Sequence, residues 1–177
     1  LAQISFFNIE KNKTTTAELK MREEMNKVQV IGNFNSENIF STLDNKALSL
    51  LQACGRGYYV VGILGVGEEP TNHALRDLVS MKAALEKWGH PIILLFTDTQ
   101  QADKFDTSQF NGLPGTVKYG IDKSRNIQNE IVTNMKLSAQ KGLPVFVIAD
   151  TFNRVVFVSQ GYNTTLGEQM LKIIRGL

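Results

Sequence analysis

Polar and ionisable side chains that could do chemistry gather in one short stretch, at the start of a predicted long helix. A carboxylate beside an imidazole can transfer protons as a general acid and base. The same residue types also suit a helix start, where acidic side chains favour the dipole, proline fits the first turn and threonine or asparagine caps free N–H groups. Both interpretations stay open. The stretch consists of Glu68, Glu69, Pro70, Thr71, Asn72 and His73.

The only cysteine of the 177-residue chain is Cys54, which precedes this stretch. A lone thiol forms no internal disulfide, and one cysteine with two histidines does not make a common structural zinc site. We therefore predict no metal and no cofactor. Cys54 could react only if the fold brought it to the surface near a base, and the alternative is a free cysteine that is buried or half-buried.

Charge and hydropathy narrow the possible partners. The 19 basic and 17 acidic side chains are interspersed and give a net charge of +2, so no basic surface for nucleic acid is expected. The longest apolar stretch, residues 58–66, is interrupted by two glycines and is too short for a spanning helix. We predict no nucleic-acid partner and no membrane insertion. The chain begins at Leu1 without a leader pattern, which favours a processed or excised chain.

The apolar pattern predicts the elements that position these residues. Continuous apolar runs at 58–64 and 92–96 are typical of strands covered on both faces, and helical spacing predicts a helix over 71–88 between them. Such an alternation implies a mainly parallel sheet, which an antiparallel hairpin then completes. The other predicted helices are 46–53, 101–105, one around 127–135 capped by Ser124, and one that opens with a capping box at Thr165; the other predicted strands are 116–119, 145–149 and 155–158.

The element order, with Gly142, Leu143 and Pro144 leading into a hairpin and a last amphipathic helix, resembles the thioredoxin-like fold of envelope thiol–disulfide oxidoreductases and peroxiredoxin-like proteins. The resemblance implies an α/β fold of three layers with a central mixed sheet. It also implies that Pro144 is a cis-proline facing the redox loop. The isomer of the Leu143–Pro144 bond cannot be read from the sequence.

The resemblance places the redox motif in residues 65–73. Aligning on the proline puts the cysteine-x-proline-cysteine pattern on Glu68, Glu69, Pro70 and Thr71, and the peroxiredoxin pattern puts the peroxidatic cysteine near Glu69. Neither alignment finds sulfur. Because a thiolate is the attacking group in both reactions, the loop is a degenerate active site.

Almost the whole chain is also similar to the C-terminal region of bacterial proteins described as transglutaminase-like. This resemblance implies that residues 1–30 are a β-strand or hairpin appendage from a preceding β domain, that residues 31–177 form the thioredoxin-like domain, and that the protein is periplasmic, at the cell surface or secreted. Transglutaminase chemistry is not implied, because its Cys–His–Asp arrangement is absent. The segments that carry the similarity are residues 4–9, 32–37 and 69–77.

We therefore predict a non-catalytic module that binds protein or peptide, including other domains of its parent chain, or that serves as a structural C-terminal domain of a larger envelope protein. The alternative is an enzyme. It would use Cys54 in oxidoreductase-like or peroxiredoxin-like chemistry, or Glu69 and His73 in non-redox chemistry.

Overall fold

The computed structural model describes residues 28–138 and 141–177. Within these residues the helices are α1 (Leu50–Cys54), α2 (Glu69–Ser80), α3 (Lys82–Trp88), α4 (Thr99–Lys104), α5 (Asn126–Asn134) and α6 (Leu166–Arg175), with 3₁₀ turns at Thr107–Phe110 and Lys123–Arg125. The strands are β1 (Gly32–Asn33), β2 (Ile39–Thr42), β3 (Ala47–Ser49), β4 (Tyr58–Leu64), β5 (Ile92–Phe96), β6 (Val117–Ile121), β7 (Val145–Asp150) and β8 (Arg154–Gln160).

The described strands form one mixed sheet in the order β1-β8-β7-β4-β5-β6-β2-β3. Strands β4, β5 and β6 run parallel, whereas β7 and β8 form an antiparallel hairpin beside β4. Strands β4 and β5 have the predicted bounds, because each is an apolar run buried on both faces.

Helices cover both faces of this sheet and give it two cores. Leu75 of α2, Leu85 of α3 and Met170 of α6 pack on one face, and Leu50 of α1 and Ile131 of α5 pack on the other. Neighbouring side chains of β4 point to opposite faces, so alternate residues of this one strand enter each core. The predicted three-layer α/β architecture with a central mixed sheet is confirmed.

The helix predicted over 46–53 is shorter, and a strand takes its first half. Residues 47–49 pair with residues 39–41 in an antiparallel hairpin at the edge of the sheet. Ser49 then starts α1 through a capping box, because its hydroxyl accepts the Gln52 N–H at 3.0 Å and the Gln52 side chain accepts the Ser49 N–H. Both strands are short and half polar, and the sequence pattern does not predict them.

The helix predicted over 71–88 is two helices. Met81 lies between α2 and α3 with ψ of 9°, outside the helical range, and its N–H donates to the Asp77 and Leu78 carbonyls. The apolar spacing continues through Met81 because both helices bury the same side against the sheet. Periodicity therefore gives the buried face correctly and conceals the break.

Two predicted helix caps are wrong for the same reason, since carboxylates from earlier in the chain take their place. Ser124 has φ of 59° and caps nothing, whereas the buried Asp122 carboxylate accepts the N–H groups of Ile127 and Gln128, each at 2.9 Å. Thr165 lies at the N-cap of α6, but its side chain caps no N–H group. The Asp77 carboxylate accepts the Gly167 N–H in the first turn of this helix instead.

The predicted appendage, residues 1–30, lies outside the described residues except for its last three. The chain joins the sheet where the Ile31 N–H donates to the Val155 carbonyl at 2.8 Å and β1 pairs with β8. The division into residues 1–30 and 31–177 stays a prediction.

Candidate functional site

Three segments meet beyond the carboxyl end of β4, and we name them the proline corner: residues 65–73, 143–144 and 161–162. The Leu143–Pro144 peptide bond is cis. The Gly161 N–H donates to the Pro144 carbonyl at 2.8 Å. A Cβ atom added to Gly65 would lie 3.3 Å from the Leu143 Cβ and 2.7 Å from the Glu68 carboxylate, so the loop after β4 touches the proline loop.

The loop after β4 is fixed by the helix that follows it. Glu68 is the N-cap of α2, its side chain caps no N–H group, and Pro70 lies in the first turn. Thr71 is buried, and its hydroxyl accepts the Gly65 N–H at 3.0 Å. Thr71 therefore fastens the loop to the helix instead of capping a helical N–H group.

Glu69 and His73 are in the same helix but have different partners. The Glu69 carboxylate pairs with Arg76 at 2.6 Å on the exposed side. The His73 Nε2 lies 3.7 Å from the Asp77 carboxylate, and its ring packs against Tyr162 with centroids 5.3 Å apart. The structure does not bring Glu69 and His73 together as an acid–base pair.

Asp77 and Tyr162 extend the proline corner beyond the predicted stretch. The Asp77 carboxylate accepts the Gly167 N–H at 3.1 Å and so joins α2 to the start of α6. Its spacing of four residues from His73 is the sequence signal that could have indicated the contact. Tyr162 has no such local signal, because β7 and β8 separate it from α2 in the chain.

Cys54 lies far from the proline corner. It ends α1, just before β4 begins, whereas the corner follows the end of β4, and a seven-residue strand is about 20 Å long. The thiol is half-buried, and this burial raises its pKa to about 12, although Lys118 acts in the opposite direction. The Lys118 ammonium donates instead to the Ala53 carbonyl at 2.7 Å. Cys54 is thus a free, largely protonated thiol at the opposite end of the sheet.

A cavity of about 310 Å³ opens beside the proline corner, between the start of α2 and the segment that follows α4. Its walls combine aromatic and aliphatic side chains with two amides and two opposite charges. They are formed by Val66, Gly67, Thr71, Asn72, Leu75, Lys104, Phe105, Asp106, Gln109 and Phe110.

Residues 28–138 and 141–177 contain no group of three or more side chains arranged to hold a metal ion. The same residues include no helix that is both long and apolar enough to cross a bilayer.

Of the comparisons with known proteins, the one with solved structures bears on the fold. No protein-family model matches the chain, and no curated protein matches it. Solved structures do match. A member of the Sco family of cytochrome c oxidase assembly proteins aligns with a TM-score of 0.60 at 15% identity, covering 84% of this chain and 95% of that one. A putative thiol:disulfide interchange protein DsbE from Chlorobium tepidum aligns with a TM-score of 0.58 at 13% identity over 84% and 99%.

A peroxiredoxin-like protein from Aquifex aeolicus also aligns, with a TM-score of 0.55 at 18% identity over 84% of this chain and 87% of that one. Identities this low show a shared fold and nothing finer. The strand order, the helices on both faces and these structural matches lead to one conclusion: the chain has a thioredoxin-like fold.

Proposed function

We propose that this chain is a redox-inactive thioredoxin-like module that binds extended protein or peptide segments at its proline corner. One observation carries the proposal. Glu68 and Thr71 occupy the N-cap and third position of α2, where the alignment puts the two redox cysteines, and neither has a thiol. The proline loop, with its cis Leu143–Pro144 bond, packs against Gly65, which also contacts the Glu68 carboxylate and the Thr71 hydroxyl.

The corner has the features of a peptide-binding edge. The main chain of Leu143 forms no hydrogen bond with the other described residues, so its N–H and C=O are free to pair with an extended segment. Tyr162, with 55% of its surface exposed, stands beside it on the His73 ring. Tyrosine presents a rigid apolar surface and a polar tip, which suits it to protein contacts.

The position of Cys54 argues against thiol chemistry. A nucleophilic cysteine needs a lowered pKa and access to its substrate, whereas burial raises the pKa of this thiol to about 12. Because β4 separates Cys54 from the proline corner, a substrate bound at the corner would not meet the thiol.

The setting of the module belongs to the same proposal. From the resemblance to transglutaminase-like proteins, we infer a C-terminal domain of a larger bacterial envelope protein, periplasmic, at the cell surface or secreted. Residues 1–30 would then complete a preceding β domain, and other domains of the parent chain would be candidate partners. Mass spectrometry of cross-linked parent protein tests this, with links from Tyr162 or Lys141 to other domains as the expected result.

The binding experiment uses reduced, carboxymethylated lactalbumin as an unfolded polypeptide probe and the ¹⁵N-labelled chain. We expect amide shifts at residues 65–73, 143–144 and 161–162, and about tenfold weaker binding after Tyr162→Ala. Phe152→Ala is the matched control, because Phe152 is also exposed but lies on the hairpin turn at the opposite end of the sheet. Shifts confined to other surfaces, or equal effects of the two variants, would contradict the proposal.

Catalysis is tested separately by insulin-disulfide reduction and by peroxide consumption. We expect no turnover in either assay, with or without a thiol reductant. Turnover that disappears in Cys54→Ala would identify a one-cysteine redox enzyme and overturn the redox-inactive assignment.

A further inference from the structure

The cavity beside α2 has walls that suit a small molecule with one apolar end. Its volume of about 310 Å³ is at the lower limit of ligand pockets, which span roughly 300–1,000 Å³. Phe105 and Phe110 stack with their planes 6° apart and centroids 5.8 Å apart, and Leu75 is fully buried behind them. The two rings form the apolar part of a lining that is otherwise mainly polar.

The rim of the same cavity carries two opposite charges. Lys104 ends α4, and Asp106 follows two residues later in the chain, directly after Phe105. Neither side chain takes part in an ion pair among the described residues, with each other or with a third group. Both charges are therefore available to a ligand.

The Asp106 carboxylate is held in place before any ligand arrives. One of its oxygens accepts the Ser108 N–H at 2.9 Å and the Ser108 hydroxyl at 2.5 Å. The other oxygen, Oδ2, has no donor among the residues that the structure describes. A fixed carboxylate loses less conformational entropy on binding than a mobile one.

Two amides complete the lining. Asn72 is half-buried on α2, Gln109 is exposed on the 3₁₀ turn, and each carries one carbonyl acceptor and two N–H donors. Polar groups placed around an apolar wall fix the orientation of a ligand and discriminate between ligands of similar size.

We propose that this cavity binds a free α-amino acid with an apolar side chain. The ligand carboxylate would pair with the Lys104 ammonium, its ammonium group with the Asp106 carboxylate, and its side chain would lie against Phe105 and Phe110. The cavity shares residues 66, 67, 71 and 72 with the proline corner. Lys104 and Asp106, which would hold the two charged ends of the ligand, lie outside the corner, so their variants test this proposal separately from peptide binding.

The experiment titrates the full 177-residue chain with leucine and follows the amide shifts and the heat of binding. We expect saturable shifts at residues 66–75 and 104–110. Leucinamide lacks the carboxylate and N-acetylleucine lacks the ammonium group, so each should bind about tenfold more weakly than leucine. Equal binding of all three compounds, or no saturable shift with leucine, would overturn the proposal.

Charge-removing variants assign the two contacts. Lys104→Gln should weaken leucine about tenfold and leave leucinamide unchanged, whereas Asp106→Asn should weaken leucine about tenfold and leave N-acetylleucine unchanged. Lys82→Gln and Asp103→Asn are matched controls, because both residues are exposed and neither lines the cavity. Thermal unfolding of each variant verifies folding. Loss of affinity in the controls as large as in the cavity variants would contradict the assigned contacts.

Discussion

At the scale of single residues, Cys54 shows how burial controls chemistry. Its thiol packs beside the core that α1 and α5 share with the sheet. Desolvation disfavours the thiolate there and raises the pKa to about 12, against the ordinary value of 9.0. The low reactivity that we expect of this thiol is therefore a consequence of folding.

We expect iodoacetamide to alkylate Cys54 about a thousandfold more slowly in the native protein than in urea-unfolded protein at about pH 8. The reason is that the pKa of this thiol is about three units higher in the folded state than in the unfolded state. Mass spectrometry of timed samples measures both rates. Equal native and unfolded rates would show an accessible thiolate and refute the burial effect.

The same pKa difference predicts a loss of stability in alkali. Because the folded pKa is the higher one, the thiol contributes stability below the unfolded value of 9.0, and this contribution is lost as the pH rises from 9.0 towards 12. Between about pH 8 and pH 10 the free energy of unfolding should fall by about 1 kcal/mol on this account. Urea titrations of the unsubstituted 177-residue chain and of its Cys54→Ala variant measure this fall, which should be smaller in the variant.

At the scale of elements, Gly62 shows why the centre of β4 is glycine. A Cβ atom there would lie 2.6 Å from the Phe146 ring and 3.0 Å from the Leu94 side chain, both in the core. The glycine makes room for the ring that β7 places directly opposite.

Gly62→Ala should therefore lower the free energy of unfolding by about 1–3 kcal/mol through overpacking. Gly115→Ala is the control, because its Cβ would meet only the flexible end of Glu86, and its effect should stay within about 0.5 kcal/mol. Denaturant titration compares them, and adding Phe146→Leu should restore part of the loss. No recovery in the double variant would count against the Phe146 contact as the cause.

Asp122 belongs to the same scale because it holds the start of α5. Asp122→Ala should lower the free energy of unfolding by about 1–2 kcal/mol, since one buried and one half-buried N–H group would lose their acceptor. Asp103→Ala, an exposed change within α4, should have little effect. Equal losses in thermal or urea unfolding would mean that Asp122 does not act as the cap.

The sequence pattern predicts β4, β5 and the hairpin of β7 and β8 because these strands are continuous apolar runs. It does not predict β2 and β3, which are short and half polar, or the caps at Asp122 and Asp77, which lie outside the helices that they serve. The proline corner is predictable in part for the same reason. Residues 68–73 are contiguous and visible in the sequence, whereas the approach of Tyr162 depends on the arrangement of the sheet.

At the scale of the whole molecule, one sheet separates two cores and connects them through shared strands. Because β4, β5 and β7 each contribute side chains to both faces, loss of one core removes the support of the other. The described residues should therefore unfold as one cooperative unit.

We expect the fluorescence of Trp88, the single tryptophan, and the far-ultraviolet circular dichroism to give coincident urea transitions. Trp88 packs on the face covered by α2, α3 and α6, whereas the dichroism reports all elements. Two separated transitions would show that the faces unfold independently.

The distance between Cys54 and the proline corner makes the chain a suitable scaffold for protein engineering. Cysteines introduced together at Glu68 and Thr71 would occupy the N-cap and third residue of α2, where the helix dipole favours a thiolate. The native thiol, at the other end of β4, could not exchange with the new pair within the same molecule. The reduction potential of the new disulfide, measured in this double variant, would show how far the backbone at the start of α2 determines that potential. Cys54 would not interfere with the measurement.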